Sequence, residues 1–165
     1  MNQYESAIWA VGSVIEQYDS DKKFPVIGFG AITPDKQKTW EVSHCINLGE
    51  ASGIAGILET YRNIFLQGFK LYGPTLFHHF LDQFITKVEA KGPCSEYQVI
   101  LILTDGMIHD LEETKHQLVW ASFLPISVII IGIGNSEELD NMRILDADKE
   151  PFKDKNGRFA GRDIV

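Results

Sequence analysis

The sequence has few cysteines and few basic residues, and each scarcity excludes a class of protein. Only Cys45 and Cys94 occur in 165 residues, too few for a disulfide framework, so we expect two reduced thiols of the kind found in cytosolic proteins. Lysine and arginine number 15 against 23 aspartates and glutamates, which gives a formal net charge of -8. No basic cluster is visible in the sequence. Because an acidic domain repels phosphate backbones, we expect no nucleic-acid partner.

Long apolar runs are also missing. The longest, at 123–134, is interrupted by Pro125 and Ser127 and falls short of the roughly 18 residues that a membrane span requires. The first residues contain Glu5 and have no basic stretch leading into an apolar one, so no secretory signal is predicted. Hydrophobic residues make up 44% of the chain, enough to fill a core. The sequence predicts one cytoplasmic globular domain over 1–165.

Apolar residues spaced three and four apart predict five helices. Asn2 and Glu5 have the spacing of a capping box at the first helix, and Asp110 with Glu113 has the same spacing at the fourth. The predicted helices cover 4–18, 54–65, 77–88, 111–119 and 136–145.

Short apolar, β-branched runs predict strands between these helices, and Lys155 to Arg158 predicts a hairpin turn. The strand segments are 24–31, a weaker one at 42–48, 97–104 and 126–133. Runs that are apolar at nearly every position are typical of strands covered on both faces. Helices alternating with such strands predict the α/β class: a three-layer, mostly parallel open sheet flanked by helices, of Rossmann type.

No enzyme motif is present. Gly28-Phe29-Gly30 lacks the third glycine of a dinucleotide-binding loop, and neither a P-loop nor a Gly-x-Ser-x-Gly elbow occurs. Cys94 in Gly92-Pro93-Cys94 is interpreted as a loop thiol rather than a nucleophile. The sequence therefore predicts a protein that is not an enzyme.

Histidine and acidic clusters are equally weak as metal sites. His78 and His79 are adjacent, so a helix is expected to direct them apart. His109 and His116 could share a helix face, although solvent exposure explains them as well. The stretch 146–150 resembles a calcium loop, but Pro151 stands where that loop requires glycine.

Asp105 is a polar residue at a position where α/β sheets bind ligands. It follows the strand 97–104 directly, and ligands of α/β sheets bind beyond the carboxyl ends of strands. Two interpretations remain open: a free carboxylate facing the crevice, or a turn aspartate bonded to its own backbone.

An ordered set of segments along the whole chain resembles the carboxy-terminal domain of copines, a relative of the von Willebrand factor A domain. The segments are Tyr4-Glu5-Ser6-Ala7-Ile8, Tyr18-Asp19-Ser20-Asp21-Lys22, Phe24-Pro25 with Gly28-Phe29-Gly30-Ala31, Leu71-Tyr72-Gly73-Pro74-Thr75, Leu101-Ile102-Leu103-Thr104-Asp105-Gly106, Ala121-Ser122 with Leu124-Pro125, Ser127-Val128-Ile129-Ile130 with Gly132 and Gly134-Asn135, and Arg162-Asp163-Ile164-Val165.

This resemblance implies a metal-ion-dependent adhesion site built from three loops. Thr75 matches the threonine of the second loop and Asp105 the aspartate of the third. Hydroxyl and carboxylate oxygens suit Mg²⁺ or Mn²⁺, and a partner's carboxylate can complete the coordination. Thr75 could also cap the helix that follows it.

The first loop of the family pattern, Asp-x-Ser/Thr-x-Ser, does not occur in these residues. We therefore expect metal binding to be weak or absent in this chain, because one charged ligand remains of two. The loop follows the family's first strand, so the fold is expected to be incomplete at its N-terminus. The chain is then a fragment, re-pairs its strands, or self-associates by strand exchange.

The resemblance implies a non-enzymatic module that binds target proteins. In full copines it follows two calcium-dependent phospholipid-binding modules and recruits proteins to the plasma membrane. Those modules are not expected here, so we expect no direct membrane contact. Two alternatives remain: the substrate-binding domain of a copine-like RING ubiquitin ligase, or a non-functional fragment.

Overall fold

The computed structural model describes residues 1–35, 42–92, 96–106, 108–134, 139–146 and 153–165. The chain divides into two compact units, Met1–Pro74 and Thr75–Val165, and each is described by itself. The prediction that 1–165 forms one domain stays a prediction.

Two helices pack together in the first unit. Helix α1 (Gln3–Ile15) runs into a 3₁₀ turn (Glu16–Tyr18), and α2 spans Gly53–Leu66. The predicted capping box is confirmed, since the Glu5 N–H donates to Asn2 Oδ1 (2.9 Å) and the Asn2 N–H donates to Glu5 Oε2 (2.8 Å). Arg62 Nε of α2 donates to Glu5 Oε1 at 2.6 Å. Glu5 therefore caps one helix and holds the other.

The buried face of α1 is narrower than its apolar pattern predicts. Glu5, Ile8 and Gly12 are its buried residues, whereas Val14 and Tyr18 are 58% and 89% exposed. Gly12 allows close packing, because a β-carbon at this position would lie 2.6 Å from Ile54 Cδ1. The contact with α2 follows the spacing 5, 8 and 12, and residues 14 and 18 fall outside it.

The strands of the first unit are antiparallel. Strand β1 (Lys23–Gly28) pairs with β4 (Ile46–Ser52). The short β2 (Ala31–Ile32) pairs with β3 (Val42–Ser43) on one side and β5 (Lys70–Leu71) on the other. The predicted strand 24–31 is divided because Gly30 takes a left-handed φ of 64°.

The mixed α/β class is confirmed, but the mostly parallel sheet is not. The described residues between β1 and β4 contain no helix, and a parallel connection requires a crossover of a dozen or more residues, usually helical. The chain therefore returns beside β1 in the opposite direction. The three-layer arrangement stays a prediction.

The second unit contains a parallel pair. Strand β6 (Gln98–Thr104) pairs in parallel with β7 (Ile126–Gly132), and α4 (Leu111–Ala121) is the crossover between them. Helix α3 (His78–Lys91) packs against α4. The core beneath them consists of fully buried side chains, among them Phe77, Leu81, Leu118, Val119, Ile126 and Val128.

The predicted cover on both faces of the two strands is incomplete, because Val99 and Ile129 are 47% and 39% exposed. These two residues share the face opposite Val128 (2% exposed). Helices α3 and α4 therefore bury one face of the pair, and the other remains partly open to solvent.

The C-terminal segment extends the second unit beside β7. The Val128 N–H donates to the Ile164 carbonyl at 2.6 Å, and the Arg162 guanidinium donates to the carbonyls of Leu124 and Ile126. A 3₁₀ helix at Asp140–Leu145 takes the place of the C-terminal part of the helix predicted at 136–145. Residues 136–138 lie outside the described residues, as do 147–150 of the calcium-like stretch and Pro151 after it. Within the described ranges, no helix combines the length and apolar character needed to cross a bilayer.

Candidate functional site

Asp105 lies at the carboxyl end of β6, where the sequence places it. Thr104, the last residue of the strand, is buried, and Asp105 is exposed. The Gly106 N–H donates to Thr104 Oγ1 at 3.5 Å, so a threonine hydroxyl supports the turn. With the described residues the Asp105 carboxylate forms neither a hydrogen bond nor an ion pair. Of the two open interpretations, the structure favours the free carboxylate.

Thr75 lies beside the same loop. The Thr75 N–H donates to His109 Nδ1 at 3.1 Å, and the His109 N–H donates to the Thr75 carbonyl at 3.0 Å. A β-carbon added to Gly106 would lie 3.7 Å from Thr75 Oγ1. The two predicted site residues are therefore brought to one rim, with the Thr75 hydroxyl next to the residue that follows Asp105. Sequence reasoning missed the role of His109 as the link.

The prediction that Thr75 caps the following helix is wrong. Phe77 occupies the cap position of α3, and no side chain of α3's own N-terminal segment caps it. The cap comes from Asp110 instead: its Oδ1 accepts from the Phe77 N–H (3.0 Å), and its Oδ2 accepts from the His78 N–H (2.8 Å). The first turn of α3 is thus held by a carboxylate from the loop after β6, which the N-terminal end of a helix dipole favours.

Asp110 is the N-cap residue of α4, as the sequence predicts, but its side chain forms no capping hydrogen bond to that helix. The predicted capping box with Glu113 is therefore absent. The third hydrogen bond of the carboxylate joins Oδ2 to His78 Nδ1 at 2.6 Å, and Asp110 is 5% exposed. Three donors satisfy this buried carboxylate. The sequence pattern identifies the N-cap residue of α4 but not the hydrogen bonds that its side chain makes to α3.

The histidines do not form a metal site with the described acids. The rings of His78 and His79 lie 3.8 Å apart and do not diverge, contrary to the prediction. His109 precedes α4, whereas His116 lies within it and bonds to Asp154, so the two share no helix face. In the described ranges no group of three or more His, Cys, Asp or Glu could hold a metal ion.

The chemistry of the rim still fits a hard cation. Asp105 offers a carboxylate oxygen and Thr75 a hydroxyl oxygen, both of the type that Mg²⁺ and Mn²⁺ prefer. A single charged ligand gives low affinity, because affinity rises with the number of charged ligands. Of the two cysteines, Cys45 is half-buried and Cys94 lies outside the described residues.

Comparison with known proteins supports the predicted family. A family model described as Copine matches residues 1–165. Among curated proteins, Protein BONZAI 1 of Arabidopsis thaliana is 44% identical over 174 aligned residues, and Protein BONZAI 2 of the same plant is 42% identical. Each alignment covers 100% of this chain and 29% of the relative, so the chain spans under a third of the proteins it matches. The resemblance drawn from the sequence segments is confirmed, and the chain belongs to the copine family.

Proposed function

We propose that this copine domain is a non-enzymatic protein-interaction module whose binding rim is formed by Thr75 and Asp105. The observation that carries the proposal is their convergence: the paired hydrogen bonds between Thr75 and His109 hold the Thr75 hydroxyl beside Gly106, next to an exposed carboxylate without an internal partner among the described residues. An exposed acid beside a fixed hydroxyl can bind an external group.

A divalent cation is the group that best fits these donors. Asp105 and Thr75 would hold Mg²⁺ or Mn²⁺, and the ion would supply positive charge for a carboxylate of the partner protein. His109 fixes the Thr75 backbone, and Asp110 fixes the start of α3. These two residues position the rim but leave only one carboxylate for the cation. We therefore expect weak binding, at millimolar concentrations of metal.

NMR with MnCl₂ tests the rim, since Mn²⁺ broadens the signals of nearby nuclei. We expect selective broadening of the Thr75, Asp105 and Gly106 amides, and loss of this broadening in Asp105→Asn. The matched control is Glu113→Gln, which removes another exposed carboxylate of the same unit and should leave the broadening unchanged. Uniform broadening, or broadening elsewhere that Asp105→Asn does not alter, would overturn the assignment of the rim.

We also propose a cellular role for the longer family proteins: a cytoplasmic protein that is brought to the plasma membrane by calcium-dependent phospholipid binding, with this domain binding the target proteins. The family match over the whole chain supports this role. Calcium-dependent pelleting with phospholipid vesicles should be seen for a longer family protein that carries the phospholipid-binding modules and not for residues 1–165. Pelleting of 1–165 alone would contradict the assignment of phospholipid binding to other modules.

A further inference from the structure

A hairpin at the C-terminal end of the second unit is held rigidly against α4. Lys153 and Phe159 form a β-bridge, and Asp154 lies beneath the turn at 4% exposure. Asp154 Oδ1 accepts from the N–H groups of Asn156 and Arg158, each at 2.9 Å, and Oδ2 pairs with His116 Nδ1 at 2.8 Å. Burial by itself would raise the pKa of Asp154, but these hydrogen bonds outweigh it and hold the pKa below its usual value. The carboxylate of Asp154 is therefore used in hydrogen bonds within the fold and is not presented at the surface.

The surface beside this hairpin exposes aromatic rings that are fixed in place. The guanidinium carbon of Arg158 lies 5.3 Å from the centre of the Trp120 ring, and the Trp120 indole N–H donates to Glu89 Oε1 at 2.6 Å. Phe123 packs on Gly161, where a β-carbon would lie 2.6 Å from a ring carbon. Trp120 and Phe123 remain 43% and 61% exposed. Rings held in this way lose little entropy when a partner covers them.

The hairpin is basic in an acidic chain. Residues 153–162 contain Lys153, Lys155, Arg158 and Arg162 with one acid, Asp154, whereas the whole chain carries a net charge of -8. Arg162 is occupied by backbone carbonyls, and the other three bases are exposed. These bases are spread over ten residues of the sequence. Folding of the turn buries Asp154, the one acid among them, and leaves Lys155 and Arg158 exposed.

We propose that this aromatic-basic patch, formed by Trp120, Phe123 and Arg158 with Lys155 in the adjoining turn, binds a short acidic segment of a partner protein that carries apolar side chains between its carboxylates. Arg158 presents a planar fork suited to a carboxylate, and exposed tryptophan and arginine are typical of residues that dominate binding energy. Trp120 and Phe123 supply the apolar contact.

A peptide fits the patch better than an anionic membrane does. Glu89 is exposed beside Trp120, and a flat anionic surface would meet this acid together with the bases. An acidic segment can contact the bases alone. The patch uses none of the groups at the Thr75–Asp105 rim, so the proposal is independent of the proposed metal-assisted binding.

The test uses a labelled peptide of alternating glutamate and leucine, titrated with the whole chain in EDTA and followed by fluorescence anisotropy. Two-dimensional NMR with the same peptide unlabelled should shift the Trp120 indole N–H and the amides of the hairpin. Arg158→Glu should weaken binding about tenfold, because it replaces attraction with repulsion at the centre of the patch. The matched control, Lys87→Glu on an exposed position of α3, makes the same change of charge sign and should alter affinity by less than about twofold.

Four results would overturn the proposal. The first is equal binding of a peptide in which lysine replaces glutamate. The second is an equal effect of Arg158→Glu and Lys87→Glu, and the third is the absence of any shift at Trp120. The fourth is binding to vesicles containing phosphatidylserine without binding to the peptide. Since EDTA removes divalent cations, failure of the rim proposal would leave the expected result unchanged.

Discussion

Replacing Asp110 by asparagine should weaken the second unit strongly, because the change removes acceptors from the start of α3. The carboxylate accepts three hydrogen bonds, two on Oδ2 and one on Oδ1. An asparagine has the same shape but only one acceptor oxygen, and its amide group would face donors of Phe77 or His78. At least one buried N–H group loses its acceptor whichever way the amide is turned.

The size of the effect follows from the geometry. A buried N–H left without an acceptor costs about 1–3 kcal/mol, and hydrogen bonds to charged groups contribute about 1.5–3 kcal/mol. Loss of a helix cap costs about 0.5–2 kcal/mol, a range that overlaps with these terms rather than adding to them. We therefore expect Asp110→Asn to lower the free energy of unfolding by about 2–4 kcal/mol, a large part of the about 5–15 kcal/mol of a typical domain.

Urea unfolding followed by circular dichroism measures this loss, with Asp105→Asn as the matched control. Asp105 lies in the same loop, but it is exposed and has no hydrogen bond with the described residues, so its replacement should change stability by less than about 0.5 kcal/mol. NMR should also show shifts at the Phe77 and His78 amides in Asp110→Asn alone. Equal stability of the two variants would refute the role of Asp110 as the cap of α3.

Three further predictions concern other parts of the chain. Arg62 and the Asn2 N–H lower the pKa of Glu5, and hydrogen bonds lower that of Asp154. The stability that these acids contribute is complete above their ordinary pKa values of 4.5 and 3.8, and it is lost as the pH falls through the lower pKa values of the folded chain. Glu5→Gln and Asp154→Asn should therefore flatten the acid limb of a curve of unfolding free energy against pH. Leu81→Ala, at a side chain 1% exposed, should lower the free energy of unfolding by about 2–5 kcal/mol in a urea titration. Arg162→Ala should speed hydrogen exchange at the Val128 amide, because the C-terminal segment that accepts from it loses its anchor on β7.

The helices could be predicted from the sequence because their signal is local. Apolar spacing predicts 54–65 and 77–88, and the structure has helices at Gly53–Leu66 and His78–Lys91. A helix closes its backbone hydrogen bonds within itself, so the period of the sequence contains most of the information needed. The Asn2–Glu5 capping box was predictable for the same reason.

Strand pairing could not be predicted in this way, because a strand takes its hydrogen bonds from a distant segment. The apolar run that contains β1 is compatible with a parallel or an antiparallel partner, and the observed partner is the antiparallel β4. Gly30 divides the run through its positive φ, and glycine in a strand pattern does not by itself say whether the chain turns there. The parallel pair β6 and β7 was predictable because a clear helical pattern lies between its two apolar runs.

The candidate site was partly predictable. Thr75 and Asp105 were predicted from the family resemblance, and the structure brings their loops together, while their role in binding stays a prediction. Their support was not predictable, because Asp110 and His109 act on residues 32 to 34 positions away in sequence. A pattern search pairs Asp110 with the helix that follows it, since helix capping is usually local. In the folded chain the Asp110 side chain instead accepts from the first turn of α3.

The contrast between Asp105 and Asp110 explains how one short loop can both stabilise the fold and bind a ligand. Three of the roughly four lone-pair positions of Asp110 are occupied by donors, and the residue is buried, so an external cation at this carboxylate would compete with the bonds that hold the first turn of α3. Asp105, five residues earlier, has no such donor among the described residues. A cation at the rim therefore costs no internal hydrogen bond at Asp105, whereas the same cation at Asp110 would compete with the donors of α3. The residue type is identical at both positions, and the environment that each backbone position imposes decides which one is available to a partner.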